Sequence, residues 1–113
     1  MSEATYRHTG VLVDHTPSGA DVSAGQVIDL GSGLTGVAAR DITDGTLGAL
    51  QIEGVFDFTK AAGGGVTFAA GATVGWDDTN NTAVAAGTGD FDIGKAVAAA
   101  VDAASIVRAK INI

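Results

Sequence analysis

A nine-residue segment, Leu50–Phe58, constrains the fold of this chain more than any other. Leu50, Ile52, Gly54, Phe56 and Phe58 fall on one side of it and Gln51, Glu53 and Asp57 on the other, with Val55 alone breaking the alternation. A two-residue period is the mark of a half-buried β-strand, whose successive side chains point to opposite faces. The C-terminus repeats the pattern: Val107, Ala109, Ile111 and Ile113 face one way, and Arg108, Lys110 and Asn112 the other. Each segment sets an apolar side against a polar one, as expected of an antiparallel sheet with one face on a core and one in water.

Strand-forming residues run through the rest of the chain. Val and Ile total 19 against five Leu, and Thr adds 12 more, a β-branched bias that suits a pleated surface. Shorter strands are expected at Gly10–Asp14, Gln26–Leu30, Leu34–Ala39, Thr73–Trp76 and Thr82–Ala86. Turn-forming clusters separate them, the strongest being Pro17-Ser18-Gly19, Gly31-Ser32-Gly33, Asp44-Gly45 and Asn80-Asn81;. Short strands at such spacing predict an all-β chain: a small antiparallel β-barrel or sandwich with short connecting turns and at most one or two short helical turns. The expected core is Leu50, Ile52, Phe56, Phe58, Trp76, Val107, Ala109 and Ile111.

Two stretches are less regular. Lys60–Ala72 contains Gly63-Gly64-Gly65 and reads as a mobile loop, with one helical turn near Phe68. Lys95–Val101 is Ala-rich, and propensity alone favours helix there. Gly94 near its start, and a turn over Asp102–Ser105 leading straight into the last strand, favour a strand reaching about Ala100 instead. Residues 1–9 are polar and lack the apolar core of a signal peptide;. The expected organisation is therefore a flexible N-terminal arm over 1–9 and a single β-domain over 10–113.

The 113 residues suit one domain;. Its core is thin, because 21 Ala and 17 Gly make up a third of the chain while aromatics are only 5%. Burial drives folding at about 25 cal/mol per Å² of apolar surface, so such a chain gains much by covering surface with a partner. The formal charge is −7, and no window clusters more than two Lys or Arg. That excludes the basic footprint needed for nucleic acid and argues against an anionic membrane surface. No stretch approaches the roughly 18 apolar residues of a spanning helix. Without cysteine, disulfide and thiolate chemistry are excluded, which fits a cytosolic origin;.

Several clusters carry residue types that could support chemistry. Asp77-Asp78-Thr79-Asn80-Asn81 offers oxygen donors to calcium, but it lacks the spacing, glycine and distal Glu of an EF-hand loop; it reads as a hairpin tip. Asp90 and Asp92 flank Phe91 in a strand, so they share a face, and that face reads as solvated. Asp14-His15-Thr16 has the residue types of a nucleophile relay, but adjacent strand residues point apart. His8 and His15 are too few for a His-rich zinc site. Gly63-Gly64-Gly65 lacks the following Lys and Ser/Thr of a phosphate loop. Trp76 reads as a core or interface anchor. These readings assign no catalytic residue, no metal and no cofactor.

One ordered set of pieces carries a resemblance. Gly36-Val37-Ala38-Ala39 and Asp44-Gly45 precede Ile52-Glu53-Gly54-Val55-Phe56, which runs to Lys60-Ala61. Ala70-Gly71-Ala72-Thr73-Val74 leads into Trp76-Asp77, and Ile93-Gly94-Lys95-Ala96 follows. Val107-Arg108-Ala109-Lys110-Ile111-Asn112 closes the chain. In this order they resemble a family of tailed-bacteriophage capsid decoration (cement) proteins, long catalogued as a domain of unknown function. Gly75 stands where a member often has Tyr before the Trp.

The resemblance implies a compact β-fold on the outer surface of an assembled head, bound to the major capsid protein and stabilising its lattice. It implies a virion location, with host cytoplasm during assembly, and brings no catalytic residue with it. Self-association is expected from the thin core, and the resemblance favours a trimer over a dimer. Tyr6 and Arg7 are the candidate capsid-binding residues: Tyr6 is the arm's sizeable apolar group, and Arg7 can pair with an acid. Another small β-domain virion component, of the tail or of head completion, is the nearest alternative. A small metal-dependent hydrolase is the alternative from another class.

Overall fold

The computed structural model describes residues 3, 4, 10–31 and 33–113, and they form nine strands with no helix among them. β1 (Leu12–His15), β2 (Val27–Gly31), β3 (Leu34–Ala38) and β4 (Gly48–Gln51) make a four-stranded sheet in the order β1-β4-β3-β2. β5 (Val55–Thr59), β6 (Thr73–Asp77), β7 (Thr82–Ala85), β8 (Phe91–Ala96) and β9 (Ile106–Ile111) make a five-stranded sheet in the order β5-β9-β8-β6-β7. Every pairing within the sheets is antiparallel. The all-β expectation holds, and of its two forms the sandwich fits. The sheets do not close into a barrel, although a parallel bridge from Lys60 to Ala83 joins the residue after β5 to β7.

The segment expected as one strand, Leu50–Phe58, is two. β4 ends at Gln51 in one sheet and β5 begins at Val55 in the other. The chain changes sheets over residues 52–54, where Gly54 adopts φ 134°, a conformation that side chains disfavour. The inward parity survives the break: Leu50 and Phe58 are buried, Ile52 and Phe56 half-buried, and Glu53, Val55 and Asp57 exposed. Trp76, Val107, Ala109 and Ile111 are buried as expected. Ile113 is not, at 62% exposure.

The Lys95–Ala100 expectation is corrected at both ends. β8 starts earlier, at Phe91, and stops at Ala96. Ala100 keeps one bridge, to Phe68, through two backbone bonds of 2.9 and 3.0 Å. That bridge replaces the helical turn expected near Phe68. Both residues are buried, so the loop is tied down by two apolar side chains.

Two clusters make the core. The larger joins Phe58, Val74, Trp76, Ile93, Val107, Ala109 and Ile111 of the five-stranded sheet to Val27 and Val37 of the other. Phe58 packs edge-to-face on Trp76, with ring centroids 5.8 Å apart, a favoured aromatic geometry. The smaller cluster is Val22, Ala38, Ile42 and Leu50, with Val13, Ile28 and Leu30 against it.

Candidate interaction surface

The acidic clusters are held by the backbone. At the β6–β7 tip, Asp77 Oδ1 accepts from the Thr79 and Asn80 amides at 2.9 and 3.2 Å, and Asn80 Nδ2 donates to Asp77 Oδ2 at 2.8 Å. The Asn80 side chain, helped by those amides, lowers the Asp77 pKa below its usual value. Asp90 Oδ2 accepts from the Asp78 amide at 2.7 Å. Asp92 Oδ1 accepts from the Gly87 amide at 3.3 Å. Each carboxylate thus orders a turn. His15 lies on β1 opposite Gly48, while His8 falls outside the described residues, as do Tyr6 and Arg7.

Two residues matter structurally in ways the sequence did not signal. Lys60 opens the stretch that reads as a mobile loop, yet it is 2% exposed. Its ammonium donates to the carbonyls of Ala61, Asp102 and Ala104 at 3.0, 3.0 and 3.1 Å. A buried cation needs such partners, and here they knit together the loops after β5 and before β9. Alternation puts Asn112 on the outer face with Arg108 and Lys110. It instead takes φ 59°, open to Asn at little cost, and turns to the junction of the sheets. Its Oδ1 accepts from the Thr35 amide at 2.7 Å, and its Nδ2 donates to the Thr35 and Ile52 carbonyls at 2.8 and 2.6 Å.

The surface best suited to a partner is the outer face of β5, β9 and β8. Inward positions are filled by Phe56, Phe58, Val107, Ala109 and Ala96, so the alternation leaves Val55, Asp57, Ile106, Arg108, Lys110 and Lys95 outward. One cross-strand row runs Val55, Lys110, Lys95, Thr73. In the next, Asp57 lies opposite Arg108, and the Val97 amide donates to the Arg108 carbonyl at 2.9 Å. Arg108 Nε and Nη2 meet the Asp57 carboxylate at 2.8 and 3.2 Å. That hydrogen bond lowers the Asp57 pKa and raises that of Arg108.

Three apolar side chains stand among these charges: Val55, Val97 and Ile106 are 51%, 46% and 48% exposed. Lys110 and Lys95 face each other directly, and Lys95 Nζ has Thr73 Oγ1 at 3.4 Å. Gly94 lets the strands approach beside this pair, since a Cβ there would overlap the Lys110 carbonyl oxygen. The face is therefore basic and apolar on an otherwise acidic chain.

A family model described as phage cement protein matches residues 7–111. The chain belongs to the phage cement protein family. No curated protein matches it, and no solved structure does. Membership gives this cement protein a structural, capsid-associated role in the virion. The resemblance read from the ordered strand and turn pieces is borne out, and the match covers all of them but Asn112.

Proposed function

We propose that this cement protein binds the outer surface of the assembled head and stabilises the major capsid protein lattice, acting without a catalytic step. The family match across residues 7–111 carries this reading. The body supports it. Its radius of gyration is 15.1 Å, against roughly 13 Å for a compact chain of this length. Nine large apolar residues among those described are at least 38% exposed. Covering even some of them, such as Val11, Leu34, Val101 and Ile113, on a shell is worth about 25 cal/mol per Å², and high copy number multiplies a modest gain at each site. Tyr6 and Arg7 remain the proposed contacts of the N-terminal arm with the shell.

Co-sedimentation with expanded empty heads of the encoding phage tests the reading. Saturable binding, and heads that survive heating or osmotic stress better when coated, are expected. Protein left in the supernatant at every ratio would refute it. Deleting residues 2–9 tests the arm separately: unchanged affinity would assign the grip to the β-body.

A further inference from the structure

We infer that the outer face of β5, β9 and β8 docks the acidic four-stranded half of a second copy of this chain, head to tail. The observation that demands a partner is the lysine pair. Lys95 and Lys110 are directly opposite across β8 and β9, both half-buried, and the ion pair found among the described residues joins Arg108 to Asp57 instead. Like charges directly opposite in a sheet destabilise it. The chain holds this pair although its 13 acids outnumber its six bases. A carboxylate seated between the two ammonium groups would turn the repulsion into charge-assisted hydrogen bonding.

The same chain supplies the complementary surface. Residues 10–51 carry Asp14, Asp21, Asp29, Asp41 and Asp44 against the single base Arg40, a net −4. At the β1–β4 end of that sheet lies an open groove of about 730 Å³. Leu12 and Leu47 line it, 47% and 66% exposed, and Asp14 and Asp41 outnumber Arg40 among its charged lining residues. Asp21, Asp29, Asp41 and Asp44 each accept a backbone amide; Asp14 is exposed on β1 and is the acid positioned to bridge the lysines. Leu12 and Leu47 would meet Val55, Val97 and Ile106. Two copies of the basic face repel each other, so the basic face of one copy meets the acidic groove of the next. When that copy offers its own basic face to a third the contact is heterologous, and such contacts close into rings when the rotation allows.

The test uses the free protein, so its outcome is independent of head binding. Sedimentation velocity is run at low ionic strength and in ~1 M salt, where the screening length falls to about 3 Å. The wild type is expected to associate in the first and to shift toward monomer in the second. K95E/K110E exchanges one like-charge pair for another, so its melting temperature should stay close to that of the wild type while association is lost. D14K/Q51K, which makes the groove basic, should also be monomeric, and mixing the two variants should restore association. A wild type that stays monomeric at its solubility limit, a K95E/K110E variant that associates as the wild type does, or a mixture that remains monomeric would each overturn the inference.

Discussion

Eleven of the thirteen buried apolar residues of the larger cluster come from the five-stranded sheet and its loops, the other two being Val27 and Val37, whereas the smaller cluster on the four-stranded side holds four. The smaller sheet compensates with polar bonds on its loops. The Gly19 amide donates to Asp44, the Asp44 amide to Asp21 and the Ala24 amide to Asp41, at 2.9, 2.8 and 2.7 Å. These bonds are exposed, and an exposed hydrogen bond adds little net stability because water competes for both groups. One sheet is thus held by buried area and the other largely by its loops and its attachment to the first. Sub-global opening follows such differences in buried contacts, so the four-stranded sheet is expected to exchange its amides before the five-stranded one. Equal protection of both sheets in native-state hydrogen exchange would remove the distinction.

The largest expected effect sharpens the contrast from the apolar side. Trp76→Ala empties the centre of the larger cluster and should cost about 3–5 kcal/mol in urea unfolding, as large aromatic truncations do. Val22→Ala in the smaller cluster removes far less volume and should cost clearly less. Next comes the clamp between the sheets. Asn112→Ala strips Thr35 and Ile52 of three bonds and should cost about 3 kcal/mol, at about 1 kcal/mol for each part-buried group left unpaired. Exchange should speed up at the Thr35 amide first. An equal acceleration through both sheets would mean that Asn112 does not act as the junction.

Lys60→Met probes the larger sheet alone. It keeps the length of the side chain but leaves three carbonyls without their donor, a loss partly offset because a buried charge is removed too, for a net cost of about 1–3 kcal/mol confined to the loops after β5 and before β9. The smallest effect is that of pH. The lowered pKa of Asp77 means that its contribution is complete above the ordinary value of 3.8 and fades as pH falls through the lower folded value. Asp77→Asn should therefore flatten the acid limb of a thermal-melt pH profile and change little near neutrality. An unchanged acid limb would mean that the tip carries no linkage.

Much of this was legible beforehand because strands announce themselves by period. Of the shorter strands expected, Gln26–Leu30, Leu34–Ala39, Thr73–Trp76 and Thr82–Ala86 each lie within one residue of an observed strand at either end. The family, too, could be read from the order of its pieces. The docking face was half visible, since Arg108 and Lys110 alternate outward in the last strand. Lys95 was hidden in an Ala-rich run whose pairing partner was unknown.

Local sequence determined which segments are extended and which side of each is apolar, because alternation acts between neighbours two residues apart and needs no distant partner. It could not reveal that residues 52–54 carry the chain from one sheet to the other, since Leu50, Ile52, Gly54, Phe56 and Phe58 keep the same parity through the break. Lys60 reads as a solvated loop residue until carbonyls 42 and 44 positions away are folded over it. Asn112 reads as one more outward residue until a positive φ turns its amide toward Thr35, 77 positions away. Tertiary structure alone decided these, because what a buried polar group accepts or donates to is set by backbone from elsewhere in the chain, which no local period records.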